Sequence, residues 1–545
     1  MPGFIREKQR WLRRHWLITV LLLLAAALRG VVLLAYRPAL IFPDSLRYLH
    51  VADRFATGHW SPDTIRPSGY SILIAPATAI HMLALIPLAQ HVLGLAEGAM
   101  IYALLTRRGG RRGLAALAAV PILFDPLQLD LEQYVLSDVC AAFFVTTALV
   151  VLAWNGNRAG HGATAAAGLL LAAAAVTRVA DLVLIIPAVL YVAVIFRPWR
   201  KLAARGAVLA GCFLLPVVGY AGWFAAAHGQ WGLSDYNGTF LYGRVVQFAN
   251  CTGLSLPSYE RLLCPTQPSA QRNYDFYMWS AKSPQWRFVP PPGLTRQAVV
   301  LNFSRRILTH QPLSYLDAVG TDIAYSFSPV RGNGPEHYPA AYLKFQAGFP
   351  PYDEVQTALS SYGHTGPAVQ PQLTAFLTGY GRYFYVPGPL LATGLLIGLA
   401  GLAGTRRSRR RGLRSADLLF AAGAVAAVAG AAAFAPFDWR YQLPQLTLIP
   451  VAAAFGWMAL ASWGPPRREP AVQPDGPPAG SAAGDDRSPV IRFGGSHHGR
   501  LSRYHRMVAA SPAPKDVRGR YPIPRSSKYR RSCPGRSATG TAILP

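Results

Sequence analysis

The stretch TVLLLLAAALRGVVLLAY, residues 19–36, decides the fold, and it follows the basic segment REKQRWLRRHW at residues 6–16. An apolar run of about 20 residues is long enough to cross a hydrocarbon core of roughly 30 Å. The pattern resembles a signal peptide, but no small-residue cleavage site follows it. We therefore predict that residues 16–36 form the first membrane helix.

Similar apolar runs recur as far as residue 463. Hydrophobic residues make up 52% of the 545 positions and charged residues only 14%, whereas soluble domains contain about 25% charged residues. A soluble fold is therefore excluded. The net charge of +28 does not indicate nucleic-acid binding, because the Lys and Arg residues lie mainly in short clusters between apolar runs and in the C-terminal tail.

The basic clusters predict the orientation, because short cytoplasmic loops carry an excess of Lys and Arg. Successive clusters are separated by two crossings each, which predicts an all-α polytopic membrane protein of about ten helices with both termini in the cytoplasm. The clusters are at 6–14, 107–112, 158, 197–205 and 406–414 and from 467 onward. The predicted helices are 16–36, 82–106, 113–130, 135–154, 163–180, 182–197, 206–227, 384–404, 416–435 and 442–463.

The apolar sequence from 69 to 106 is longer than one crossing requires. A second crossing there would place the basic clusters from 107 to 414 outside, so we predict that SILIAPATAI, residues 71–80, is an interfacial or re-entrant segment.

The crossings divide the chain into regions. The segment 228–383 is too long for a connector, and we predict a folded periplasmic or extracellular domain there. After residue 463 the sequence is rich in Pro, Gly, Ser and Arg, which is typical of a disordered basic tail. The predicted regions are a cytoplasmic N-terminus at 1–15, a transmembrane module at 16–227 with a first outer loop at 37–81, the domain at 228–383, C-terminal helices at 384–463 and a cytoplasmic tail at 464–545.

The five cysteines include no CxxC motif or Cys/His cluster. Cys140 and Cys212 lie in apolar runs, where a free thiol acts as a small hydrophobe. Cys251 and Cys264 both lie in the long outer segment, where an oxidising compartment permits a disulfide.

The first outer loop, IFPDSLRYLHVADRFATGHWSPDTIRPSGYSILIAP at 41–76, is the most informative stretch for function. Asp44 lies just beyond the first helix, and Tyr48, Ala52 and Phe55 follow at helical spacing, which indicates a short amphipathic helix along the membrane surface. The turn RPSGY, residues 66–70, then returns the chain to the interface.

This arrangement resembles the polyprenyl-phosphate-sugar-dependent glycosyltransferases of the GT-C superfamily, which includes protein O-mannosyltransferases and aminoarabinose transferases. Two further segments carry the resemblance: YVLSDVCAAFF at 134–144 and FDWRYQLPQLTLIP at 437–450. The likeness covers roughly residues 10–200 and 380–463. It implies transfer of a sugar from a polyprenyl-phosphate carrier to an envelope glycan, lipid or protein on the outer side of the plasma membrane.

Such a transfer requires a base for the acceptor proton and cations that stabilise the departing phosphate. The resemblance implies that Asp44 is the base, and arginine at the outer face suits a phosphate because it binds phosphate bidentately. No cofactor is certain, a divalent cation is left open, and the metal ligands are unknown. The remaining predicted residues are Arg66, Tyr70, Arg178, Arg440 and Tyr441 for the donor, and Glu132 and Asp138 for the acceptor or a cation.

Alternatives remain at each position. Many superfamily members carry adjacent acids in the first outer loop, whereas here Ser45 follows Asp44. Arg178 can instead pair with Asp181, and Arg440 can be an interfacial anchor. The alternative functions are a transporter or lipid flippase and a non-catalytic scaffold, although no internal repeat typical of transporters is visible. Glu97, His81 and His91 lie in or near the second helix, where ionisable residues are functional candidates or are paired within the bundle.

Overall fold

The computed structural model describes residues 2–461 except 197, 335–339, 351–353, 365, 405–407 and 409–411. Its first half consists of helices α1 (Pro2–Ala35), α2 (Pro43–Ala56), α3 (Gly69–Ala79), α4 (Leu85–Arg107), α5 (Arg112–Phe124), α6 (Pro126–Gln133), α7 (Asp138–Ala153), α8 (His161–Thr177), α9 (Ile185–Ile195) and α10 (Trp199–His228). The predicted tail at 464–545 lies outside the described residues.

The second half adds α11 (Asn237–Val245), α12 (Ser258–Arg261), α13 (Tyr274–Trp279), α14 (Pro284–Arg287), α15 (Arg296–His310), α16 (Pro312–Ser326), α17 (Glu354–Ser360), α18 (Pro371–Tyr383), α19 (Gly388–Gly401), α20 (Leu413–Phe434) and α21 (Leu443–Ala461). Strands β1 (Tyr36–Arg37) and β2 (Ala368–Val369) form one antiparallel pair. Short 3₁₀ helices lie at Gly156–Arg158, Val179–Leu184, Ser269–Gln271, Ala340–Leu343 and Trp439–Gln442.

The prediction of an all-α polytopic membrane protein is confirmed. In the part of the chain that is described, five helices are long and apolar enough to cross a membrane, and the bent pairs α5–α6 and α18–α19 raise the number to seven if each is one span. The three other predicted crossings coincide with shorter apolar helices at Asp138–Ala153, His161–Thr177 and Val179–Ile195. Each of the ten predicted segments thus contains an apolar helix.

The loops predicted to be cytoplasmic meet at one end of the bundle. Arg107 donates from Nη2 to Asn155 Oδ1 at 2.9 Å, which joins the ends of α4 and α7. Ser415 at the start of α20 donates to Asn157 Oδ1 at 2.7 Å. Basic linkers that are far apart in sequence therefore occupy the same end of the bundle. This is expected if two crossings separate each basic cluster from the next.

The segments predicted to be outside meet at another group of helix ends. Leu40, just after α1, donates its N–H to Gln133 O at 2.9 Å and accepts from Val135 N at 3.0 Å. The SILIAPATAI segment lies in α3, whose 11 residues extend only about 16 Å. A turn then leads to α4, with His81 at φ 54°, a conformation in which His is enriched. This α3–turn–α4 arrangement fits an interfacial or re-entrant segment.

The predicted outer domain at 228–383 contains two differently packed parts. Its first part has a separate hydrophobic core that includes Tyr242, Val299 and Phe303, and Cys251 is bonded to Cys264. The second part packs on the bundle, where Tyr36 donates its hydroxyl hydrogen to Gln346 O at 2.6 Å. The different packing has a physical cause: the second part covers apolar ends of the bundle instead of enclosing a core of its own.

A buried polar network joins α1, α4 and α6. Arg29, which is 2% exposed, places Nη2 2.8 Å from Glu132 Oε1 and donates from Nη1 to Leu123 O at 2.8 Å. His91 Nδ1 lies 2.6 Å from the other Glu132 oxygen. Gly94 provides the necessary space, because a Cβ atom there would lie 1.8 Å from Glu132 Oε1.

This network corrects the role predicted for Glu132. The Glu132 side chain is fully buried. Its Oε1 atom accepts a hydrogen bond from Arg29, and its Oε2 atom faces His91 Nδ1. Its carboxylate is therefore paired inside the bundle in this structure, whereas orientation of an acceptor or a cation was predicted for it. Sequence reasoning missed Arg29, whose single charge inside an apolar run was the available signal.

The first prediction concerns topology. Reporter fusions at Gly110 and Gly334 should report opposite compartments, with Gly110 in the cytoplasm, because an odd number of predicted crossings separates the two positions. Reports from the same side for both fusions would contradict the assignment of the basic linkers.

The second prediction concerns the Arg29 network. Arg29→Gln should lower the thermal unfolding temperature in detergent strongly, because removal of one partner of a buried ion pair costs about 3–5 kcal/mol. Arg13→Gln is the matched control, since Arg13 lies on the same helix but is exposed. Equal unfolding temperatures for the two variants would show that the network contributes little to stability.

Candidate active site

Asp44 lies in the first turn of α2, and its neighbour Ser45 fixes the start of that helix. The Ser45 Oγ atom accepts from the N–H of Phe42 at 2.9 Å and donates to Val135 O at 2.8 Å. Pro43 occupies the first helical turn, a position that suits its fixed φ angle. Ser45 thus ties the start of α2 to the chain before α7.

The RPSGY turn positions Arg66 through a separate acid, Asp63. Asp63 Oδ2 accepts from the backbone N–H of Arg66 at 2.9 Å and from Arg47 Nε at 2.7 Å. The Ser68 hydroxyl oxygen accepts from the Asp63 N–H at 2.8 Å. The loop is therefore folded by its own polar groups, which leaves the Arg66 guanidinium available to Asp44.

Arg66 and Arg440 share the carboxylate of Asp44. Arg66 Nη2 lies 2.8 and 2.9 Å from the two Asp44 oxygens, and Arg440 Nη1 lies 3.1 Å from Oδ2. The three side chains are only 13–22% exposed. Two segments separated by almost 400 positions thus meet at one carboxylate.

The turn between α20 and α21 holds Arg440 in place. Asp438 Oδ2 lies 2.7 Å from Arg440 Nε, and Asp438 Oδ1 accepts from the Arg440 N–H at 3.2 Å. Trp439 is buried and donates its indole N–H to Gly332 O at 2.7 Å. Asp438 is a residue that sequence reasoning missed, although it lies inside the quoted segment at 437–450.

Tyr441 connects this group to a second ion pair. Its ring lies between two guanidinium groups, with Arg178 Cζ 5.0 Å and Arg440 Cζ 5.6 Å from the ring centroid. Arg178 Nη1 lies 3.2 Å from Asp138 Oδ1, at the start of α7. Six of the predicted residues therefore form one group with Asp438. We call this group the arginine–carboxylate cluster; it consists of Asp44, Arg66, Asp138, Arg178, Asp438, Arg440 and Tyr441.

The electrostatics of the cluster keep Asp44 ionised. Burial raises the pKa of the Asp44 carboxyl, but the charges of Arg66 and Arg440, and the hydrogen bonds from both, outweigh burial. The pKa of Asp44 is therefore lowered, so this carboxylate remains charged at neutral pH and is a weaker base than an unpaired one.

Asp275 of α13 lies outside the cluster but is affected by its charges. Burial, and then the charge of Asp438, raise the pKa of the Asp275 carboxyl to about 6, while the charge of Arg440 lowers it. A carboxyl with this pKa is better matched to proton transfer near neutral pH than Asp44 is. Asp275 was missed because the large loop carries no motif that marks it.

Tyr70 lies behind the cluster. It is fully buried, donates its hydroxyl hydrogen to Gln90 Oε1 at 3.0 Å, and packs edge-on against Tyr48 with ring centroids 5.0 Å apart. The hydroxyl oxygen of Tyr48 in turn lies 3.1 Å from Oγ of Ser137, the residue before Asp138. Tyr70 thus supports the wall of the site in this structure, whereas contact with the donor was predicted for it.

Metal binding is a further possibility for acidic side chains within the described ranges. No group of three or more His, Cys, Asp or Glu side chains there is arranged to bind a metal ion. The carboxylates of the cluster face arginines instead. The arrangement therefore fits an anionic ligand, which arginine side chains bind through paired hydrogen bonds.

Comparisons with known structures give several similar membrane enzymes. The S. cerevisiae protein O-mannosyltransferase Pmt1-Pmt2 complex bound to the sugar donor is 16% identical, with a TM-score of 0.32, and the match covers 44% of this chain and 37% of that one. The Archaeoglobus fulgidus oligosaccharyltransferase is 15% identical, with a TM-score of 0.38 and coverage of 82% and 50%. ArnT from Cupriavidus metallidurans is 14% identical, with a TM-score of 0.30 and coverage of 80% and 77%.

The chain therefore spans 37% and 50% of the length of the first two of these structures. No curated protein sequence matches it. Residues 85–230 match the family of dolichyl-phosphate-mannose-protein mannosyltransferases. This match covers α4 to α10 and agrees with the resemblance to protein O-mannosyltransferases that the sequence motifs indicate.

Proposed function

We propose that this protein is a membrane glycosyltransferase that moves a sugar from a polyprenyl-phosphate carrier to a cell-envelope acceptor. One observation carries the proposal: Arg66, Arg178 and Arg440, from three distant segments, converge on Asp44 and Asp138. Arginine groups beside a carboxylate provide both a phosphate site and a base. The family match over residues 85–230 supports the same activity.

The arginines would bind the phosphate of the donor. Guanidinium groups pair bidentately with phosphate oxygens and stabilise the charge that develops as the sugar–phosphate bond breaks. Arg66 and Arg440 are held by Asp44 in this structure, so the entering phosphate competes with that carboxylate for the same donors. The polyprenyl chain would lie along the adjacent membrane surface.

Asp44 would take the proton of the acceptor. The acceptor oxygen forms a bond to the anomeric carbon, the bond from that carbon to the phosphate oxygen breaks, and the polyprenyl phosphate leaves with the bonding electrons. The acceptor proton passes to the Asp44 carboxylate. When a phosphate occupies Arg66 and Arg440, the two charges that lower the pKa of Asp44 are partly neutralised, and its basicity increases.

The Arg178–Asp138 pair would hold the opposite side of the site. Tyr441 separates Arg178 from Arg440, so the two guanidinium groups can contact different oxygens of one head group. Asp138, at the start of α7, is available to orient the acceptor once Arg178 contacts phosphate. These roles deepen the assignments of Arg178, Asp138 and Tyr441.

The partners follow from the same chemistry. The name of the matched family specifies a dolichyl-phosphate-mannose donor and a protein acceptor. For this chain we propose a polyprenyl-phosphate-linked sugar and an acceptor hydroxyl on an envelope glycan, lipid or protein. The protein would lie in the plasma membrane with its termini in the cytoplasm and the cluster on the outer side.

The third prediction tests Asp44 as the base. Asp44→Asn should lower the rate of sugar transfer from polyprenyl-phosphate donors by about 10²- to 10⁴-fold. Asp53→Asn is the matched control, because Asp53 lies on the same helix and bonds Tyr362 instead of the cluster. Arg440→Ala should impair transfer, and Arg440→Lys should restore it only partly, since lysine lacks the bidentate geometry.

The assay uses purified variants in vesicles. Transfer by Asp44→Asn at the rate of the control would refute the base assignment. Failure of the wild type with every lipid-linked sugar tested would favour the transporter or scaffold alternatives.

The fourth prediction separates Asp44 from Asp275 by pH. A carboxyl whose pKa is lowered in the free protein keeps its charge as the pH falls, so kcat/KM for transfer that relies on Asp44 should stay nearly constant from about pH 8 to about pH 5. A base with a pKa of about 6 would lose roughly tenfold in rate per pH unit below that value. A decline of this kind that disappears in Asp275→Asn would assign the proton transfer to Asp275.

A further inference from the structure

A basic cavity of about 450 Å³ lies at the end of the bundle where the predicted cytoplasmic loops meet. It is formed between the chain before α8 and the junction of α9 with α10. Its charged or ring-bearing lining residues are Arg158, His161, Phe196, Arg200, Lys201 and Arg205. The proposed transfer does not use these side chains.

The cations of this cavity lack acidic partners in the described part of the chain. Within the described ranges, none of the four Arg and Lys side chains forms an ion pair. Arg205 Nη1 is buried and has no hydrogen-bond partner in the described part of the chain, while its guanidinium lies 5.6 Å from the Phe196 ring centroid. A buried donor without a partner is costly, which indicates that a ligand atom completes it.

Two helix N-termini add to the positive potential of the cavity. α8 begins at His161 after Gly160, and α10 begins at Trp199. Neither helix has a side-chain cap among the described residues. The free N–H groups and the dipoles of both helices therefore favour an anion next to the four cations.

The surroundings of the cavity point to a lipid as the source of the anion. Trp199 is 72% exposed, and Val194 on α9 is 48% exposed. Val194 lies in a predicted crossing, so its exposed surface faces acyl chains. Trp199 begins a helix that is long and apolar enough to cross a membrane, and Trp is typical of the boundary with the head groups. An anion that binds here lies at the depth of phospholipid phosphates.

We propose that this cavity binds the phosphate head group of an anionic phospholipid. Arg158 and the α10 residues Arg200, Lys201 and Arg205 contact the phosphate oxygens, and the acyl chains lie on the apolar surface beside Trp199. Basic pockets of this kind between membrane helices bind anionic head groups. The bound lipid joins the α7–α8 loop to the start of α10, which otherwise carry only like charges.

The test uses the full chain purified from mixed vesicles of phosphatidylcholine and cardiolipin, with native mass spectrometry of the lipid that remains bound. Arg158→Gln/Arg205→Gln should lower cardiolipin retention by about tenfold to thirtyfold. Arg111→Gln/Arg112→Gln is the matched control, because it removes the same charge from exposed positions at the start of α5. The control should retain cardiolipin as the wild type does.

Two results would overturn the proposal. One is equal retention by the cavity variant and the wild type, or an equal loss in the control, which would indicate unspecific attraction of anionic lipid to basic loops. The other is displacement of cardiolipin from the wild type by millimolar inorganic pyrophosphate. This result would assign the cavity to a soluble anion. The single variant Arg158→Gln, at an exposed position, repeats the measurement if the double variant does not fold.

Discussion

A carboxylate shared by two guanidinium groups connects three distant parts of this chain. Asp44 follows α1, Arg66 lies before α3, and Arg440 lies between α20 and α21, yet all three meet within 3.1 Å. Removing such charges from water is costly. The pairing of each group with an opposite charge offsets this cost. The side chains can meet only if the neighbouring helices begin at the right positions. Ser45 fixes the start of α2, and Asp438 fixes the turn before α21.

The charges of the cluster balance without a ligand. Three arginines face the carboxylates of Asp44, Asp138 and Asp438. A phosphate therefore adds negative charge to a neutral set, and it can bind well only if a carboxylate releases its arginines or gains a proton. Proton transfer to Asp44 satisfies this condition at the step in which the acceptor is activated. Charge balance thus couples occupation of the phosphate site to the basicity of the proposed base.

Much of this architecture was predictable because its signals are local. Apolar length predicts the helices, the basic linkers predict which helix ends meet, and the RPSGY turn predicts that Arg66 returns towards Asp44. The pairing of Arg29 with Glu132 was not predictable, because the partners are 103 positions apart and nothing in either segment specifies the contact. Asp275 was missed for a similar reason: its pKa depends on burial and on Asp438, neither of which is visible in the surrounding sequence. Tyr70 was assigned to the site by motif, whereas the direction of its side chain depends on Gln90.

The central claim is that a donor phosphate takes the place of Asp44 on Arg66 and Arg440. The most direct measurement is the affinity of purified wild type and Asp44→Asn for a polyprenyl phosphate without sugar, in vesicles at fixed ionic strength. Asparagine removes the competing negative charge and leaves both arginines in place, so the variant should bind the lipid phosphate several-fold more tightly, although it transfers sugar poorly. Unchanged or weaker binding by Asp44→Asn would contradict the claim, because it would show that the carboxylate and the phosphate do not compete for the same guanidinium groups.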